Sequence, residues 1–156
     1  YLEVVGLKYK MSNLQAALGE SQLDKIDYII KMKRQIFNNY KKFLKNKNFQ
    51  LNIAEKNSTS TYWMTTLTIK NLKLKKDFKE RLIKYCFEKN IHLRPFFYPL
   101  SSMPMYKTSK KISNKIAYKL TSNSVNLPSG YNLKLKDIKR VCSAIYSFLN
   151  KEKINL

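Results

Sequence analysis

Eight side chains able to bind or stack crowd into the fifteen positions His92 to Tyr106: His92, Arg94, Phe96, Phe97, Tyr98, Met103, Met105 and Tyr106. Pro99 and Pro104 stiffen this stretch. The planar fork of Arg94 suits a phosphate, and the rings offer a flat apolar surface to a base or a sugar. The same rings would also serve a loop packed on its own domain, or a dimer contact. A second candidate is Gly6-Leu7-Lys8-Tyr9-Lys10, just before a helix start. Free N–H groups and the helix dipole favour an anion there, and Lys8 and Lys10 would reinforce it. Two lysines near a helix start are equally what a lysine-rich chain supplies by chance.

Other chemistry has little material. His92 is the sole histidine, and Cys86 and Cys142 lack metal-ligand spacing, so neither a zinc site nor a Ser-His-Asp triad is supported. The three glycines, Gly6, Gly19 and Gly130, make no phosphate-cradling loop. Asp24, Asp27, Asp77 and Asp137 read as helix-face or helix-start charges. Each cysteine lies in an apolar-periodic stretch and reads as a small buried hydrophobe in a reducing, cytoplasmic setting.

The formal charge is +21, from 31 basic and 10 acidic residues in a 156-residue chain, which raises nucleic-acid binding as a function class. Only Arg34, Arg81, Arg94 and Arg140 are arginine, whereas dedicated nucleic-acid surfaces lean on arginine's bidentate fork. The lysines are spread along the whole chain and read as solvated faces. With 44% apolar residues the chain can build a core, and its length suits one compact domain with or without an arm. The longest apolar runs are far too short to span a bilayer. The opening Tyr1-Leu2-Glu3-Val4-Val5 has no signal-peptide pattern and reads as the interior of a longer polypeptide.

Helices and short strands must position these residues. Ser12-Asn13-Leu14-Gln15 is a capping box, and one long helix is predicted to follow it to about Lys45. Leu14, Leu18, Leu23, Ile26, Ile30, Phe37, Tyr40 and Leu44 form its apolar stripe. Gly19 inside it costs about 1 kcal/mol relative to Ala, unless another backbone comes close. Residues 61–69 are β-branched and aromatic and predict a strand with Trp63, Leu67 and Ile69 on one face. A helix is predicted from about Asp77 to Lys89, with Phe78, Leu82, Cys86 and Phe87 inward and Asn90 as a left-handed cap. Ile91 to Arg94 reads as a short strand broken by Pro95. Ser113 is placed to cap a helix carrying Ile116 and Leu120. Val125 to Leu127 reads as a brief strand, and a last helix from about Lys136 repeats Ile138, Val141, Ile145 and Leu149. The fold class expected is α/β or α+β, with helices covering one small sheet.

Two segments carry a resemblance. The stretch Gly6-Leu7-Lys8-Tyr9-Lys10-Met11-Ser12-Asn13-Leu14-Gln15-Ala16-Ala17-Leu18-Gly19, with Gln22-Leu23 after it, resembles the DegT/DnrJ/EryC1/StrS sugar aminotransferases. Arg94-Pro95-Phe96-Phe97-Tyr98-Pro99-Leu100, ending in Met103-Pro104-Met105-Tyr106, resembles the loop of that family's perosamine-synthase branch. Asn126-Leu127-Pro128-Ser129 before a terminal helix also matches. The resemblance covers essentially the whole chain but only the C-terminal part of the family's protein. It implies the small C-terminal domain of a fold-type-I aminotransferase (46–156) behind a turn and long connecting helix (1–45).

The activity implied is transamination with pyridoxal 5'-phosphate. Glutamate gives its amino group to the cofactor, which passes it to the 4-keto carbon of a nucleotide-linked deoxysugar. The family's Schiff-base lysine, ring-binding acid and stacking aromatic belong to a larger domain upstream of the Gly6 motif, so no catalytic residue is expected in this chain. By the resemblance, Lys8 stands where the family has Asn and would meet the cofactor phosphate of a neighbouring subunit. Leu7 replaces the usual Tyr, and Lys10 replaces an Arg with loss of bidentate geometry. Arg94 and Tyr98 would hold the nucleotide-linked sugar. Ser101 stands where many members carry His, so that histidine's role does not transfer. Gly19 would allow close packing at a homodimer contact. No membrane partner is expected, and a basic nucleic-acid-binding module or a non-catalytic oligomerisation fragment are the competing readings.

Overall fold

The computed structural model describes residues 4–7, 9–70, 77–106 and 114–153. Helices α1 (Asn13–Leu23) and α2 (Ile26–Phe43) lead into strands β1 (Phe49–Leu51) and β2 (Thr65–Ile69). Helix α3 (Phe78–Phe87), strand β3 (Arg94–Pro95), helix α4 (Lys115–Asn123), strand β4 (Ser124–Leu127) and helix α5 (Leu135–Lys151) follow. Two short 3-10 turns, Leu100–Ser102 and Pro104–Tyr106, interrupt the aromatic loop. The strands form one sheet in the order β1-β2-β4-β3, antiparallel throughout. The expected small sheet with helical cover is therefore present.

Register gives the sheet two unlike faces. Leu67 pairs with Val125 across β2 and β4, and both are buried among Leu82, Cys86, Ile138, Ile145 and Leu149. Each such side chain contributes roughly 1.5–3 kcal/mol when fully buried. One residue along, the pairs are Thr66 with Asn126 and Thr68 with Ser124. Their side chains bond across the strands, at 2.7 Å from Thr66 Oγ1 to Asn126 Oδ1 and 2.8 Å between the Thr68 and Ser124 hydroxyls. A strand alternates its side chains, so this second face is polar and internally satisfied.

Several sequence expectations are corrected. The long helix is two, broken at Asp24 and Lys25. Asp24 opposes the dipole at the end of α1, whereas Asp27 suits the first turn of α2. The stripe divides with it: α2 buries Ile36, Phe37 and Tyr40, and α1 buries nothing. Strand β1 was unforeseen, because three residues carry too little periodicity. Strand β2 starts at Thr65, and Trp63 lies before it with 61% of its surface exposed. Phe87 is exposed as well. Strand β3 includes Pro95, which an edge strand tolerates because no partner needs its missing N–H. Asn114 occupies the N-cap position of α4, and Ser113 lies outside the described residues. Asn90 does take the left-handed conformation, at φ 54°, and α5 buries the predicted Ile138, Val141, Ile145 and Leu149.

Candidate functional site

Arg94 is the third residue in a polar row across the sheet: Thr66 pairs with Asn126, and Asn126 pairs with Arg94 on the edge strand. Asn126 is buried and already committed, accepting from Thr66 and reaching Pro95 O at 3.4 Å. Arg94 is exposed at the open end of the row. It helps line a cleft of about 440 Å³ with Trp63, His92, Lys33, Ser129 and other residues of the turn after β4. Among the described residues no carboxylate lines this cleft, so the charge they supply is positive or neutral and favours an anion.

Lys33 builds the floor. It sits seven residues after Ile26 and seven before Tyr40, on the inward stripe of α2, so the helix period carries a lysine into the body of the fold. Its ammonium donates to Trp63 O at 3.1 Å and to Ser129 O. Burial pushes its pKa below the usual 10.5. One helix thereby ties the segment before β2 to the turn after β4. Neighbouring bonds repeat the pattern: Tyr40 donates its hydroxyl to Pro128 O at 2.9 Å, Arg34 Nε donates to Ser60 O at 3.0 Å, and Thr65 N donates to Ser129 Oγ at 3.0 Å.

Trp63 lines the cleft, and Phe97, which is not among the lining residues, extends the rim through its stack on Trp63. Trp63 stacks near Phe97 with centroids 6.3 Å apart, and Phe97 meets Phe96 edge-on at 5.7 Å. A planar ligand with a charged group finds an apolar wall beside a guanidinium here. His92 sits edge-to-face with Phe87 at 5.2 Å and reaches the cleft from the other side.

The predicted site residues are not all gathered. Arg94 lines the cleft; Tyr98 does not, its ring lying instead over the ammonium of Lys79 at 5.1 Å. Lys8 lies outside the described residues. The sequence reading missed Lys33 and misplaced Trp63. A lysine at heptad spacing within an apolar stripe was the available signal for the first; nothing in the local pattern exposes the second.

The architecture is shared with sugar aminotransferases. A putative sugar aminotransferase from Streptococcus pneumoniae, in its PLP form, superposes with a TM-score of 0.80 at 17% identity, over 90% of this chain and 36% of that one. A Helicobacter pylori aminotransferase of pseudoaminic acid biosynthesis does so with a TM-score of 0.75 at 18% identity, over 97% and 41%. The sequence pattern of the DegT/DnrJ/EryC1/StrS aminotransferase family matches residues 1–146, and the chain belongs to that family. Among curated relatives, the GDP-perosamine synthase of Escherichia coli O157:H7 is 34% identical over 146 residues, covering 94% of this chain and 38% of that protein. The GDP-perosamine synthase of Vibrio cholerae is 31% identical over 156 residues, covering 95% and 40%. The chain thus spans about two fifths of the length of these relatives.

Proposed function

We propose that this chain is the sugar-nucleotide-holding portion of an aminotransferase that aminates the 4-keto carbon of a GDP-linked 6-deoxysugar, with glutamate as donor. Residues 1–45 would form the connecting arm and 46–156 the small domain. The observation that carries the reading is Arg94 in a cleft that no carboxylate of the described residues lines, beside the Trp63 ring on which Phe97 stacks. Arg94 would pair with the diphosphate through its fork, and the rings would flank the sugar or base. Tyr98 would act from the same loop.

The family implies pyridoxal 5'-phosphate, which supplies the electron sink for moving the amino group. The described residues do not fit its covalent anchor. Lys33, the lysine that burial makes less basic, spends its ammonium on two carbonyl oxygens and works as a strut. Lys8, matched to the family's phosphate-contacting position, remains the proposed cofactor contact of this chain, made across a homodimer interface. The enzyme would work in the cytoplasm on sugars destined for polysaccharide.

Calorimetric titration of the complete enzyme with a GDP-linked sugar tests the reading. Arg94→Ala should weaken binding by about tenfold or more, as loss of a charge-assisted bond does. Binding of GDP-sugar that is indifferent to Arg94 would remove the cleft from the site.

A further inference from the structure

The loop that carries Phe97 to the rim has almost no ladder bonds of its own, yet it presents its rings in a fixed order. Lys79, in the first turn of α3, lies beneath it with a side chain only 7% exposed. Its ammonium donates to Thr121 O on α4 at 3.1 Å and lies 5.1 Å from the ring centroid of Tyr98. Glu80 Oε1 stands 3.6 Å away. Thr121 then donates its own hydroxyl to Phe97 O at 2.8 Å. One residue of α4 thus takes a bond from α3 and passes one to the loop, while the same ammonium faces the next ring along the loop.

A buried ammonium is costly unless partnered, and an apolar side chain of similar length would fill this space without that cost. The charge is therefore tied to something a methionine would not do. We propose that Lys79 is a positioning residue: through Thr121 and the Tyr98 ring it holds the aromatic loop so that Phe97 stays against Trp63, and this sets affinity for the nucleotide-linked sugar. The affinity clause rests on the function proposed above; the clasp itself does not.

Trp63 is the only tryptophan of the chain, so its fluorescence reads the rim directly. In the 156-residue chain, Lys79→Met should shift Trp63 emission and raise its quenching by acrylamide, and Lys79→Arg should restore both. Thr121→Val, which removes only the Phe97 bond, should move both readouts in the same direction and by less. In the complete enzyme, Lys79→Met should raise KM for the sugar nucleotide about five- to tenfold with kcat within about twofold, the size expected for a desolvated cation–π and hydrogen-bond pair. Should Lys79→Met fail to fold, Thr121→Val decides: unchanged Trp63 emission and quenching in that variant overturns the clasp. A fall in kcat as large as the rise in KM, unrescued by Lys79→Arg, would overturn positioning as well. If the wild-type enzyme binds no sugar nucleotide, the proposed function fails, while the fluorescence comparison still decides the clasp.

Discussion

Helices α1 and α5 both carry recurring aliphatic residues, but only α5 gathers them on one face, and the two meet opposite fates. Helix α5 places Ile138, Val141, Ile145 and Leu149 in the core. Helix α1 leaves Leu14, Leu18 and Leu23 exposed at 75%, 63% and 65%. Yet α1 is locally well formed: Ser12 Oγ accepts from Gln15 N at 3.3 Å, and Gln15 Oε1 accepts from Ser12 N at 2.9 Å. Val5, Leu7, Tyr9 and Met11 before it are exposed too. The contrast separates two things that a periodic pattern merges. In α5 the steps of three and four keep the apolar residues on one face, whereas in α1 Leu14 and Leu18 lie a turn apart and Leu23 falls on the opposite side, so recurrence alone does not make a buried face. An isolated helix of eleven residues is marginal in water, so an arm of this kind needs a covering surface.

The sharpest break of the comparison is a matched truncation. Leu149 is fully buried, so Leu149→Ala should cost about 2–5 kcal/mol in urea unfolding. Leu18→Ala should stay within about 0.5 kcal/mol in the same assay. Equal losses would mean that α1 is packed by this chain after all.

A second test uses pH. Burial pushes the thiol of Cys86 up to about 11 and that of Cys142 up to about 12, from an ordinary 9.0. The folded chain holds these protons more tightly than the unfolded one. Their contribution is therefore complete below about pH 9 and is lost as pH rises through the folded values. Burial of the Tyr40 and Tyr146 hydroxyls acts with the same sign. Lys33 acts oppositely: its lowered pKa makes the folded chain release a proton more readily, so its cost fades as pH approaches 10.5. Among the described residues four groups oppose one, and the unfolding midpoint should fall between pH 9 and pH 12. At pH 8 both thiols should react with a disulfide reagent only as fast as the body of the fold opens. Rapid labelling of the native chain would contradict their burial. Far-ultraviolet signal from α1 should be indifferent to this limb, because α1 carries neither cysteine.

The fold was legible where local pattern and burial agree. The period of α5, the left-handed Asn90 and the start of α3 near Asp77 all follow from side-chain types within one or two turns. Strand β1 was illegible because Phe49–Leu51 exists only as a partner to Phe49↔Ile69 and its neighbours in β2. The break after Leu23 was readable in principle from the two flanking acids, but the continuous stripe outweighed them. At the site, Arg94 stood out as a rare arginine beside aromatics. The cleft around it did not, because Lys33, Trp63 and Ser129 come from segments some 30 to 96 positions apart and meet only through backbone carbonyls.

Tyr40→Phe probes that meeting point with a smaller effect. The hydroxyl joins α2 to Pro128 O, and its loss leaves that half-buried acceptor without this bond, so about 0.5–1.5 kcal/mol of stability should go. The change should also loosen the turn that carries Ser129, visible as faster amide exchange at residues 129 to 132. An unchanged exchange rate would assign the turn's order to the bonds that Lys33 and Thr65 make with Ser129.

The smallest effect on this chain is the most informative about its arm. A Cβ built on Gly19 meets nothing within 4 Å. Gly19→Ala should therefore strengthen α1 locally by about 0.5–1 kcal/mol, seen as added helical ellipticity, and leave the global unfolding midpoint where it is. In the complete enzyme the same methyl becomes a ruler for whatever lies against the arm. If a partner backbone comes close at Gly19, as the family resemblance implies, the variant should weaken the dimer in sedimentation while the isolated chain gains helix. A dimer unaffected by the methyl would free Gly19 from that role and leave Leu14 and Leu18 as the residues that define the covered face.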